Sequence, residues 1–119
     1  MSQNPIFSLD EALSRVDHDR ETFEMMIDLF LEHGPKDLAD AKAALGVQNA
    51  VGVARSSHRL KGAILQFCAP ASLDACKALE DTAKTGNLLH ADALYATLEQ
   101  ELHRLLGALR HERDKGLAA

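Results

Sequence analysis

Ser57-His58-Arg59-Leu60-Lys61-Gly62 sets one histidine among Arg55, Arg59 and Lys61. This group lies within Asn49 to Leu73, 25 residues with no acidic side chain, in a chain whose formal charge is −5. An imidazole is a competent nucleophile and can carry a covalent intermediate. Histidine's ordinary pKa of about 6.5 leaves much of the ring neutral near pH 7. On a helix, Lys61 is one turn beyond His58 and can bring a mobile ammonium toward a group on the ring. Arg55 and Arg59 add positive potential. A phosphoryl group, or an acidic site on a partner, would account for this local reversal of charge. Phosphoryl transfer asks for positioning and charge neutralisation more than elaborate covalent chemistry. The sequence holds no phosphate-binding glycine loop, no nucleotide motif and no carboxylate cluster for Mg²⁺, so any metal must come from a partner.

Helices must position these residues, and the helical signals are strong. Ser8-Leu9-Asp10-Glu11 reads as a capping box opening a short helix to about Val16. Asp17-His18-Asp19 breaks it, and Asp19 can cap a second helix. Phe23, Ile27 and Phe30, then Leu38, Ala41 and Leu45, give that second helix one apolar face. Gly34-Pro35 predicts a kink or break within it, and Gly46 a glycine terminus. Asn49 caps a third helix that should end near Cys68, ahead of Pro70. A fourth begins at Ala71 or Ser72, carries Leu73, Cys76, Leu79 and Ala83 on one face, and ends at Gly86. Asn87 can start a fifth, striped by Leu94, Leu98, Leu102, Leu105 and Leu109 before a charged tail from His111 to Lys115. No window alternates with the period of a strand. The expected fold is all-α, an antiparallel up-and-down four-helix bundle with a short additional N-terminal helix.

Composition narrows the function. The 119 residues suit one domain, with its core over about residues 8–112 and flexible ends. Aromatics are scarce and Trp is absent, so the core is built from Leu, Ala, Ile, Val and Met. The acidic balance argues against nonspecific nucleic-acid binding, which needs clustered Lys and Arg. No apolar run approaches the ~18 residues of a membrane span, and Met1 to Asp10 lacks the features of a signal peptide. Cys68 and Cys76 lack disulfide-framework or zinc spacing. A cytoplasmic, monomeric protein is the expectation, and the compact chain suits a bacterial source.

The third helix carries two stripes. Val53, Ser57, Leu60, Ile64 and Phe67 recur at 4,3,4,3 spacing and form the core-facing seam. His58 lies about 140° from the centre of that seam and faces water. Val51, Arg55, His58, Gly62 and Leu65 repeat the same spacing on the outward side. Apolar or absent side chains thus border the histidine, as on a docking surface with a reactive residue near its middle. A mid-helix glycine costs about 1 kcal/mol relative to alanine. Gly62 is tolerable there if something must come close to the backbone.

His58-Arg59-Leu60-Lys61-Gly62 resembles the H-x-L-K-G signature of histidine-containing phosphotransfer (HPt) domains of two-component phosphorelays. The resemblance extends to Leu9-Asp10-Glu11-Ala12-Leu13, to the Phe-rich second helix reaching Pro35, and to Leu79-Glu80 before Gly86. It implies a four-helix bundle that exchanges a phosphoryl group with an aspartate of a response-regulator receiver domain or a hybrid sensor kinase. The receiver would supply the Mg²⁺, with no cofactor in this chain. His58 would be the phosphoacceptor, Lys61 would support the phosphoryl group, and Gly62 would give the receiver room. Val51, Arg55, Arg59 and Leu65 would complete the docking face. Downstream the chain departs from the pattern: Cys68 stands where a glycine is usual, and Leu65 is bulkier than the usual small residue. Gln66 holds a place often occupied by a small polar residue, from which it can donate to phosphoryl oxygens.

Two rival readings use the same residues differently. In one, the helical face is a phosphorylation-independent docking or regulatory module for a kinase or response regulator, and His58 is incidental. In the other, the chain is a hydrolytic or metal-dependent enzyme, which the absence of a recognisable second catalytic group near His58 disfavours. His18, His33, His90, His103 and His111 show no metal-ligand spacing.

Overall fold

The computed structural model of the chain describes residues 6–118, and the expectation of flexible ends falls partly on residues outside that range. Five helices follow in order: α1 (Leu9–Ser14), α2 (Arg20–Gly46), α3 (Ala50–Leu65), α4 (Pro70–Lys84) and α5 (Ala91–Ala118). There is no strand among the described residues. Helices α2, α3, α4 and α5 pack each on the next, α5 closes back on α2, and α1 rests against α2. This is the expected four-helix bundle with a leading helix. No helix among the described residues is long and apolar enough to cross a membrane.

Each apolar stripe becomes a wall of one core. Phe23, Ile27, Leu60, Ile64, Leu79, Leu98, Leu102, Leu105 and Leu109 are fully buried. Phe67, just past α3, stacks its ring centroid 5.2 Å from Phe30 and 6.1 Å from Phe23. Each such buried ring or aliphatic side chain contributes roughly 1.5–3 kcal/mol.

The three side-chain caps fall where the sequence placed them. Ser8 accepts from the Glu11 amide at 3.4 Å, Asp19 from Glu21 at 3.2 Å, and Asn49 from Gly52 at 3.0 Å. The capping box at Ser8 is nonetheless only half formed. The Ser8 amide donates to the Cys68 carbonyl at 3.0 Å instead of to the Glu11 side chain, which ties α1 to the α3–α4 connection.

Helix ends depart more from expectation. Helix α1 stops at Ser14 rather than Val16, because Asp17 and His18 are both left-handed, at φ 55° and 60°. Helix α2 is closed by left-handed Gln48 (φ 56°), and Gly46 is still helical. There the Asn49 amide reaches back to the Ala44 carbonyl at 2.8 Å, the wrapped hydrogen bond of a Schellman terminus. Helix α3 ends at Leu65, three residues before Cys68, and Cys68 itself has φ 54°. Helix α4 starts one residue before Ala71, with Pro70 in its first turn, where a missing N–H costs nothing. Ser72, the other expected start, spends its hydroxyl on the Glu101 carbonyl of α5 at 3.2 Å. Gly86 (φ 82°) follows α4 as expected. Asn87 caps a turn, accepting from Leu89 at 2.9 Å, and α5 begins only at Ala91.

Two long helices also run further than their sequences suggest. Helix α2 continues through Pro35 without a break. An interior proline costs about 3 kcal/mol, but buried Phe30, Gly34, Leu38 and Ala41 anchor the helix on both sides of it. Helix α5 passes through the charged segment from His111 to Lys115. Arg20 holds it there, bonding the Glu112 carboxylate at 2.8 Å and the Glu112 carbonyl at 2.6 Å.

A left-handed backbone costs a side-chain-bearing residue roughly 1 kcal/mol, and glycine is free of that cost. Cys68→Gly should therefore stabilise the fold by at most about 0.5 kcal/mol, because glycine's greater unfolded-state entropy offsets half or more of the relieved cost. Urea unfolding monitored by circular dichroism would show a raised midpoint with unchanged slope.

Candidate functional site

Helix α3 presents both stripes as the periodicity requires. Val53, Ser57, Leu60, Ile64 and Phe67 are buried, while the His58 side chain is 68% exposed. Val51, Arg55, Gly62 and Leu65 line the exposed face with it. A Cβ placed on Gly62 would meet nothing within 4 Å. Internal packing therefore does not require glycine at this position.

The imidazole is held by a residue that the sequence reading did not assign to the site. Glu80 sits on the buried face of α4 beside Cys76, Leu79 and Ala83, and its side chain is 1% exposed. Its Oε2 lies 2.9 Å from His58 Nδ1 and 3.2 Å from Lys84 Nζ. Lys61 Nζ lies 2.8 Å from Oε1, a charge contact off the hydrogen-bond direction. Burial works against the Glu80 charge, but Lys61, His58 and Lys84 outweigh it and bring the carboxyl down to about 2. The same contact with Glu80 raises the Lys61 pKa. A carboxylate can only accept hydrogen bonds, so Nδ1 must carry the proton. In the neutral ring, the lone pair is then on Nε2.

The neighbouring thiol is not a second nucleophile. Cys76 is buried and its Sγ donates to the Ser57 carbonyl at 3.0 Å. Burial, then the charge of Glu80, pushes it up to about 12, which keeps it protonated.

The other expected residues separate. Arg55 shares with His58, Val51, Glu80 and Lys84 an open cleft of about 420 Å³. Arg59 lies at the edge of that cleft, but its guanidinium faces α2, meeting Asp37 at 3.2 Å and Asp40 at 3.0 Å. Leu65 borders a different groove, with Cys68, Pro70 and Leu73 on one side and Glu11 and Arg15 on the other. Gln66 is not brought to His58. It follows the last helical residue of α3, eight residues and about 12 Å along the axis from His58, and lines a third groove with Met26, Leu29 and His33. No group of His, Cys, Asp or Glu among the described residues is arranged to hold a metal ion.

Glu80 and Lys84 left a faint trace in the sequence. Glu80 is four residues after Cys76 and three before Ala83, inside the apolar set of α4, with Lys84 one turn on. An acidic residue on a core-facing register signals a buried partner.

Comparison with known proteins shows the family and the fold. A family model described as "Hpt domain" matches residues 25–110. The fold is similar to the crystal structure of histidine-containing phosphotransfer protein B (HptB) from Pseudomonas aeruginosa PAO1. The TM-score is 0.87 at 24% identity, over 95% of this chain and 98% of that one. It is also similar to the HPT domain of a sensor hybrid histidine kinase from Shewanella, with TM-score 0.81 at 19% identity over 92% and 95% of the two chains. No curated protein matches the sequence.

Because the Glu80 carboxyl lies below its ordinary 4.5 in the fold, its ionisation stabilises the native state fully above that pH. The contribution is lost as the pH falls toward about 2. Glu80→Gln should flatten the fall of stability across this window and cost about 1–3 kcal/mol at pH 7, as hydrogen bonds to a charged group are lost. Urea unfolding at a series of pH values, in wild type and variant, measures both.

Proposed function

Since the chain belongs to the Hpt domain family, whose members are histidine phosphocarriers in phosphorelays, we propose that His58 is its phosphoacceptor and that Glu80 orients the ring for the reaction. The exposed imidazole with Nδ1 fixed against a buried carboxylate supports this reading most directly. Hpt domains carry phosphoryl groups and do not themselves turn over substrate. In our reading this chain likewise supplies the nucleophile, and the receiver supplies the rest. We take residues 8–112 to act as one domain, since the buried residues form one cluster from Ala12 to Leu109.

The step is an in-line exchange. The Nε2 lone pair attacks the phosphorus of an aspartyl phosphate on a receiver domain. The Nε2–P bond forms, the Oδ–P bond breaks, and the aspartate leaves as a carboxylate. Nδ1 already carries its proton, so no proton needs to move. The ring becomes cationic on phosphorylation, and the Glu80 carboxylate beside Nδ1 offsets that charge as it develops. Transfer in the other direction retraces the same path. We assign the Mg²⁺ to the receiver. Val51 in the cleft beside the ring, Gly62 one turn on and Leu65 further along the same exposed face offer it an apolar surface, and Arg55 provides positive charge.

His58→Gln should abolish phosphoryl uptake from a phosphorylated receiver of the source organism while leaving the helical content unchanged. The wild-type label should be acid-labile and base-stable. Equal labelling of both proteins would sink the assignment of His58. Tight receiver binding by both, with transfer to neither, would instead make the chain a docking module.

A further inference from the structure

Lys61 and Lys84 both meet Glu80, but on different oxygens and with different freedom. Lys61 Nζ lies 2.8 Å from Oε1, and its side chain is only 25% exposed. Lys84 Nζ lies 3.2 Å from Oε2, the oxygen that also holds His58 Nδ1, and its side chain is 61% exposed. Lys84 also lines the cleft in which the imidazole opens, together with Arg55 and Val51, and Lys61 does not. Removing Lys61 from Glu80 would take the closest cation from a buried carboxylate, at substantial cost. Removing Lys84 is cheap, since its long side chain already reaches solvent and its contact is the looser of the two.

We infer that the two lysines divide the work, with Lys84 on α4 swinging to the phosphoryl group on His58 while Lys61 of the motif stays as the fixed counter-ion of Glu80. This rests on His58 being the phosphoacceptor. Phosphorylation brings two negative charges into the cleft at Nε2. Lys84 is the more exposed of the two lysines, and it shares a carboxylate oxygen with the ring. Glu80 keeps Lys61 and the Nδ1 proton after Lys84 departs, so the carboxylate is not left bare. Arg55, exposed in the same cleft and without an ion pair among the described residues, adds potential from the α3 side.

The ionisation of the phosphoryl group itself reports which cation is beside it. The protein is loaded with phosphoramidate, a small donor that needs no partner, and the ³¹P resonance of the phosphohistidine is followed against pH, with the imidazole ¹⁵N resonances read in parallel so that loss of the Nδ1 proton is separated from ionisation of the phosphoryl oxygens. His58→Gln identifies the signal. Lys84→Ala should raise the phosphoryl titration midpoint by about 0.5 pH unit, the size expected of one partly exposed ion pair. Lys84→Arg should restore most of that shift. Lys61→Met should move the midpoint far less while lowering the thermal unfolding temperature. If Lys61→Met does not fold, the two Lys84 variants decide alone. An unchanged midpoint in Lys84→Ala overturns the division of labour, as does a larger shift in a folded Lys61→Met. Failure of the wild type to take a phosphoryl group from either phosphoramidate or a phosphorylated receiver overturns the underlying role of His58.

Discussion

A carboxylate withdrawn from water must find its compensation nearby, and Glu80 finds three partners. Its cost unpaired would be several kcal/mol, enough to consume much of the stability of a domain this size. That constraint organises the functional face. Helices α3 and α4 must lie side by side in one register, Lys61 must lie along the groove between them, and His58 must present Nδ1 inward. The exposed ring is therefore not a surface rotamer free to wander. One edge is fixed by a group inside the protein, and the other is offered to solvent.

The same helix meets two demands because its two stripes are kept apart. The inner stripe buries Val53, Leu60 and Ile64 completely. The outer one leaves Val51 and Leu65 in water, 66% and 43% exposed, around an exposed glycine. Arg59, between them, is turned toward α2 by Asp37 and Asp40. Much of the positive charge noted in the sequence is therefore spent inside the molecule: Arg59 on α2, Lys61 on α4. What faces the cleft is Arg55 and the exposed end of Lys84. Local composition overstates the positive charge available to a partner, since each internal ion pair removes one cation from the count.

What was legible in the sequence was local or periodic. The caps at Ser8, Asp19 and Asn49 involve residues two or three apart, and the seam and stripe of α3 follow from 3.6 residues per turn alone. The outward direction of His58 came from the same count. Helix ends were harder, because Gln48 and Cys68 adopt left-handed backbone that their side chains do not advertise. Continuity through Pro35 was hidden because tertiary packing on both sides of it outweighs a local penalty. The role of Glu80 was least visible. Its partner on α3 is 22 residues away, and a glutamate on a helix ordinarily reads as a solvated residue. Gln66 illustrates the opposite error. A motif offset placed it near the ring, but the helix ends at that point and its side chain lines another groove.

The Arg20–Glu112 clamp has a consequence in the entropy of the chain. It joins residues 92 apart, whereas the contact between His58 and Glu80 spans 22. Loop-closure cost rises with the logarithm of length, so the two ends of the molecule are tied by the longer closure and the reactive face by the shorter one. No member of the clamp touches the charge cluster on α3 and α4. Fraying that frees the end of α5 from α2 leaves that cluster's own ion pairs intact. The α3–α4 hairpin thus holds the candidate site by itself, and the distant ends of the chain complete the bundle around it.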